Sequence, residues 1–114
     1  MVRELQDEIL KLKKEKDFFV LAHSYQAAEI LEIADVTGDS FQLSKLAVGV
    51  PNKNILMCGV HFMAETVKML SPEKLVVLAN PTAGCPMAEQ FEPELVESFR
   101  KKNPEYTVVS YINT

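Results

Sequence analysis

The sequence predicts an α/β fold, a three-layer α/β/α sandwich around a four-stranded parallel sheet. Two patterns carry the prediction. Short apolar runs recur at Phe18–Ala22, Asn54–Cys58, Leu75–Ala79 and Thr107–Ser110, as expected of strands buried on both faces. Segments with helical spacing lie between them, and strands alternating with helices specify parallel pairing, because each crossover must return the chain to the same end of the sheet.

Val2, Leu5, Ile9 and Leu12 recur every three or four residues among charged neighbours, which marks an amphipathic first helix that Asp17 should end. Its lysine-rich face is expected to be solvated. After the Phe18–Ala22 strand, helical spacing covers Ala27–Val36 and Ser40–Val48, with Gly38 placed to end the first and Asp39 or Ser40 to cap the second. His61–Leu70 puts Met63, Thr66, Val67 and Leu70 on one face, and Pro93–Lys102 does the same with Leu95, Val96 and Phe99. Pro93 suits a first helical turn. The chain then stops soon after its last expected strand. Its 114 residues suffice for one core and not two, so residues 1–114 are read as one domain.

With 47% hydrophobic and 25% charged residues the composition is that of a folded chain, which excludes disorder and low-complexity architecture. Twelve basic against sixteen acidic residues leave a net charge of −4. That balance, with no basic cluster beyond Lys11–Lys16, argues against nucleic acid, whose affinity rests on neutralising phosphates. The longest uncharged run, Leu75–Ala88, has fourteen residues and contains Pro81, Gly84 and Pro86, whereas a membrane span needs about 20 apolar residues. No membrane association is expected, and an amino end without a secretion signal makes a cytoplasmic location the default. A small ligand is the expected partner.

In open α/β sheets ligands bind beyond the carboxyl ends of the strands. The residues there are polar and reactive: His23-Ser24-Tyr25-Gln26 after the first strand, Gly59-Val60-His61 after the second, Ala83-Gly84-Cys85-Pro86 after the third and Tyr111-Ile112-Asn113 after the fourth. One His or Tyr alone would be read as structural; convergence from four strands points to a site. Neither a Gly-x-Gly-x-x-Gly nor a phosphate-binding Gly-x-x-x-x-Gly-Lys motif occurs, so dinucleotide and P-loop chemistry have no support. His61 and Glu65 stand four apart on one helix, a weak metal signal better read as a surface or capping pair.

The two cysteines are too few for a disulfide framework and lack the spacing of a zinc site. Cys58 ends an apolar strand and is read as a buried small hydrophobe. Cys85 lies between Gly84 and Pro86 in a tight turn that presents its thiol. Spacing leaves its role open between nucleophile, metal ligand and incidental loop thiol.

Several blocks together resemble the first domain of the quinolinate synthase family, the iron–sulfur enzymes of NAD biosynthesis. They are Leu21-Ala22-His23-Ser24-Tyr25-Gln26, Ile33-Ala34-Asp35 leading to Gly38-Asp39-Ser40, Cys58-Gly59-Val60-His61-Phe62-Met63-Ala64-Glu65-Thr66, Ala83-Gly84-Cys85, and Tyr111-Ile112-Asn113-Thr114. The nine-residue block beginning at Cys58 is the most specific, and the likeness spans the whole chain. Ser24 stands where the family often has Asn, and Pro86 where many members have a small residue.

The resemblance implies an enzyme that condenses iminoaspartate with dihydroxyacetone phosphate to quinolinate, with a [4Fe-4S] cluster held by three cysteines, one from each of three similar domains. It assigns Cys85 as the first of those ligands. It places His23, Ser40, Tyr111, Ile112 and Asn113 around substrate carboxylate or phosphate, and Tyr25 where a proton moves. His23 can donate to an oxyanion or shuttle a proton. The second and third domains are absent, so this chain alone is expected to be inactive and to need them in cis or in trans. A competing expectation, of a different class, is a non-catalytic α/β module that binds a small anion or docks to a partner without any cluster.

Overall fold

The computed structural model describes residues 1–111. In chain order the elements are α1 (Val2–Glu15), β1 (Phe18–His23), α2 (Ala28–Leu31), β2 (Val36–Gly38), α3 (Ser40–Gly49), β3 (Asn54–Cys58), α4 (His61–Leu70), β4 (Leu75–Leu78) and α5 (Pro93–Lys102). The chain divides into two units, Met1–Ala83 and Gly84–Thr114. All the strands among the described residues belong to the first, where they form one parallel four-stranded sheet in the order β2-β1-β3-β4.

α1 ends where the sequence places its stop. Asp17 has φ 55°, a left-handed conformation that a short polar side chain tolerates better than a branched one. Its carboxylate accepts from Asn52 Nδ2 at 2.7 Å and from the Lys53 backbone N–H at 3.3 Å, so this turn also ties down the entry to β3. The expectation for the lysine-rich face is corrected at one position. The Lys13 side chain is only 12% exposed and its Nζ donates to the Ile33 carbonyl and to Asp35 Oδ1, both at 2.9 Å. Gln6, also buried, donates to the Glu29 carbonyl and to Glu32. These polar contacts hold α1 against the α2 segment, while Val2, Leu5 and Leu12 stay exposed.

The strand count matches the sequence reading, but one strand is different. The expected helix over 27–36 stops at Leu31, and Val36–Gly38 pairs with β1 in the register Leu21↔Val36, Ala22↔Thr37, His23↔Gly38. Asp35 makes the switch. Its backbone N–H donates to the Val20 carbonyl at 2.9 Å and its carboxylate accepts the Val20 N–H at 2.8 Å, so β1 gains an edge partner before the β-branched Val36 and Thr37 arrive. Gly38 therefore closes a strand instead of ending a helix.

The expected strand over 107–110 does not form. A strand exists only through its ladder partner, and the second unit contains no other strand among the described residues. Val109 is accordingly 88% exposed. That unit consists of the loop from Gly84, then α5 with Pro93 in its first turn, then an extended tail. Phe99 and Tyr106 pack with ring centroids 6.2 Å apart.

Alternation along the strands divides the core of the first unit between the two sheet faces. Leu21, Ile55 and Met57 meet Leu43, Ala47, Met63 and Val67 from α3 and α4. Val20, Ala22 and Cys58 meet Ile30, Leu31 and Ala34 on the opposite face. Leu21, Ile55 and Met57 are fully buried, each worth about 1.5–3 kcal/mol of apolar transfer. At the amino end of the sheet, Lys74 is buried and donates to the Val50 and Asn52 carbonyls, so its charge is spread over backbone oxygens instead of lying unpaired. Among the described residues no helix is long and apolar enough to cross a membrane.

Candidate functional site

The chain runs from β1 outward to β2, then returns past β1 to β3 and outward to β4. The reversal lies between β1 and β3. At such a switch point the loops leaving the two carboxyl ends diverge and open a crevice. His23 ends β1 and Gly59 follows β3 on this edge, with Ala22 paired to Cys58 directly below.

His23 is half-buried and its Nδ1 accepts the Tyr25 backbone N–H at 3.2 Å. Gln26 N–H closes the turn on the His23 carbonyl at 3.0 Å. The His23 and Tyr25 rings meet edge to face, centroids 4.8 Å apart at 66°, and Tyr25 is 91% exposed. The turn thus presents a fixed imidazole and a phenol standing free of the surface. Ser24 N–H bonds the Gly38 carbonyl at 3.0 Å, which joins this turn to the end of β2.

Ser40 begins α3 at that end. Of the two caps the sequence offered, Asp39 takes the role. Its carboxylate accepts the Gln42 N–H at 2.8 Å while Gln42 Oε1 accepts the Asp39 N–H at 3.3 Å, a reciprocal capping box. Nothing among the described residues bonds the Ser40 hydroxyl.

Across the switch point, Gly59 is buried and its lack of a side chain is used. A Cβ there would come within 2.8 Å of Met63 Sδ, 3.5 Å of Met57 Sδ and 3.7 Å of His23 Cβ. The close approach is that of Met63 in the first turn of α4, while His23 lies in ordinary contact beside the β3 exit. The sequence reading placed Gly59 on this edge without giving it a role, although a Gly immediately after a buried strand is a signal of close packing. α4 then begins at His61, whose backbone N–H donates to the Ala83 carbonyl at 2.8 Å. His61 Nδ1 lies 2.8 Å from Glu65 Oε1, both side chains about half exposed. The loop after β4 is held by Asn80, whose side-chain oxygen accepts from the Thr82 N–H and hydroxyl. Both α3 and α4 open on this edge, and their positive dipole ends favour an anion there.

The cysteines behave as their contexts suggest. Cys58 is buried and desolvation pushes its thiol above the ordinary 9.0, which suits packing and not chemistry. Cys85, in the second unit, is half-buried and free. Its carbonyl accepts the Glu89 N–H at 3.1 Å, and the Glu89 carboxylate folds so close to Gly84 that a Cβ would lie 2.8 Å from Oε1. Tyr111, also in the second unit, lines an open groove of about 830 Å³ with Val96, Arg100 and Val109. Ile112 and Asn113 lie outside the described residues. Among those described, no three His, Cys, Asp or Glu side chains are grouped to hold a metal ion.

One edge of the first unit therefore gathers His23, Tyr25, Ser40, Gly59 and His61, and the second unit carries Cys85 and Tyr111. Comparison with known proteins gives this set a context. The chain is 51% identical over 113 residues to the quinolinate synthase of Caldicellulosiruptor bescii, covering 99% of this chain and 37% of that protein. It is 50% identical over 108 residues to the quinolinate synthase of Thermotoga maritima, covering 95% and 36%. With the quinolinate synthase of Clostridium perfringens it shares 50% over 111 residues, covering 97% and 37%. The chain thus spans little more than a third of the length of these relatives. The sequence profile of the quinolinate synthetase A protein family matches residues 7–114, and the chain belongs to that family.

Proposed function

We propose that this chain is the amino-terminal part of a quinolinate synthase, which condenses iminoaspartate with dihydroxyacetone phosphate to quinolinate in NAD biosynthesis. The observation that carries the reading is the placing of His23, Tyr25 and Ser40 at the carboxyl ends of the neighbouring strands β1 and β2, on the edge where α3 and α4 open. Two positive helix ends, an imidazole N–H and a free hydroxyl suit a carboxylate or phosphate. The exposed Tyr25 phenol suits a proton transfer beside that anion. Tyr111, Ile112 and Asn113 complete the substrate contacts in this reading.

The family's [4Fe-4S] cluster fits this chain in part. Cys85 is a half-exposed free thiol, Cys58 is buried and resists ionisation, and no third thiol exists. Cys85 is therefore one ligand, and the others come from the two remaining domains, in cis or in trans. When bound, such a cluster with an open iron acts as a Lewis acid on substrate oxygen. The residues of this chain would bind the anionic substrate groups through His23 and Ser40 and move a proton through Tyr25. Free cysteines accord with the reducing cytoplasm, where we place the reaction.

The test is anaerobic complementation of this chain with the remaining two thirds of the Caldicellulosiruptor bescii quinolinate synthase. The expected result is no quinolinate from the chain alone and turnover from the pair. Cys85→Ala should abolish the cluster's visible absorbance and Cys58→Ser should keep it. A full iron complement in the Cys85→Ala assembly would overturn the ligand assignment. Failed complementation with tight phosphate binding by the iron-free chain would favour the anion-binding module instead.

A further inference from the structure

The two histidines at the switch point are held at the same ring nitrogen in opposite senses. His23 Nδ1 accepts the Tyr25 backbone N–H at 3.2 Å. A backbone amide only donates, so in the neutral ring Nδ1 carries the lone pair and Nε2 carries the proton. His61 Nδ1 lies 2.8 Å from Glu65 Oε1. An ionised carboxylate only accepts, so there Nδ1 carries the proton and Nε2 the lone pair. We infer that the edge holds two imidazoles of opposite polarity, with His23 Nε2–H a standing donor to a substrate oxyanion and His61 Nε2 a standing proton acceptor oriented by Glu65.

Placement supports a use beyond packing. The Ala22–Cys58 pairing sets the β3 exit beside His23, and past Gly59 the His61 N–H is anchored on the Ala83 carbonyl, so His61 enters the edge at a determined point. An exposed pair four apart on a helix adds little to stability. What it does is select one tautomer and one ring orientation, as carboxylate partners of working histidines do. This refines the reading above, in which the role of His23 was open between donor and proton shuttle. A C–H or O–H acid bound at the edge gives its proton to His61 Nε2, and the electron pair left behind settles on a substrate oxygen facing His23 Nε2–H. The His61 imidazolium is hydrogen-bonded to Glu65 and releases the proton to solvent or to a departing hydroxyl. In this scheme Glu65 is a positioning residue.

The experiment has two arms. Two-bond 15N–1H correlation spectra of the uniformly labelled chain at a pH where both rings are neutral should show a pyridine-type Nδ1 in His23 and a pyridine-type Nε2 in His61. In the complemented enzyme, Glu65→Ala should lower kcat by about tenfold and His61→Ala by about a hundredfold, in the range of lost acid–base catalysis, with KM within about twofold. Glu65→Gln, whose amide oxygen still accepts from Nδ1, should keep the His61 tautomer and recover part of the loss. Amide dispersion of the Glu65→Ala chain confirms its fold. The same tautomer in both rings, or Glu65→Ala with unchanged tautomer and kcat, would overturn the proposal. The spectra need neither cluster nor turnover, so a failed complementation counts against the assigned reaction and leaves this test standing.

Discussion

Gly59 leaves room for Met63: a Cβ on the glycine would come within 2.8 Å of Met63 Sδ, while His23 Cβ would stand at 3.7 Å, an ordinary van der Waals contact. The packing of α4 on the end of β3 thus depends on a residue that carries no chemistry of its own.

Gly59→Ala should therefore act on stability. Met63 must shift inside a filled core, at a cost of about 1–3 kcal/mol for overpacking. Urea denaturation measures that cost. An Ala variant with wild-type stability would show that the Met63 side chain yields without strain.

Asp39 and Ser40 separate capping from binding. Asp39→Ala removes the capping box of α3 and should cost about 1 kcal/mol. Ser40→Ala should leave the denaturation midpoint nearly unchanged while weakening phosphate binding by isothermal titration. If Ser40→Ala were the destabilising change, the hydroxyl would be structural.

Lys13 is the one lysine of α1 with a partly buried ion pair. Lys13→Ala strips the Ile33 carbonyl and Asp35 of a shared donor, and a loss of about 1–3 kcal/mol is expected from the acceptors left unpaired. Lys11, whose partner Glu15 is 3.8 Å away on an exposed surface, is the control, and its Ala variant should change stability by less than about 0.5 kcal/mol. Equal effects would mean that both are surface pairs.

The thiols should differ in reactivity and in pH dependence. Iodoacetamide near neutral pH should label Cys85 in the folded chain and reach Cys58 only on unfolding, which peptide mass mapping reads directly. Burial raises the Cys58 thiol above its ordinary 9.0, so above that value the unfolded chain has lost a proton that the folded chain still holds. Unfolding stability must then fall as pH rises through the alkaline range. In Cys58→Ser this alkaline slope should flatten. Prompt labelling of Cys58 in the folded state would contradict the burial.

Most elements were legible because their residues carry a period that matches a buried surface. β3, α4 and α5 fall on the residues that the spacing predicts, since each puts its apolar positions on a definite face or run. The misreadings share a cause. Val36–Gly38 and Thr107–Ser110 are both short and rich in β-branched residues, and local pattern cannot tell which of them finds a ladder. Asp35 supplies Val36–Gly38 with its place beside β1 through two backbone-directed bonds to Val20. The 107–110 segment has no strand to pair with among the described residues of its own unit. In the site, His23, Tyr25, Ser40 and Cys85 were named from position after strands and from family likeness, and the His61–Glu65 pair from its helical spacing, whereas the packing of Met63 against Gly59 appears only when side chains have neighbours.

The sequence by itself determined the α/β class, the parallel sheet, the edge on which polar residues collect and the family to which the chain belongs, because periodicity and long motifs are properties of the chain read in one dimension. Tertiary structure alone decided which segment completes the sheet, where the chain reverses between β1 and β3, and which nitrogen of each histidine is engaged. Those are matters of pairing between residues far apart in sequence or turned toward one another in space, and a hydrogen bond has no address until both of its ends are placed.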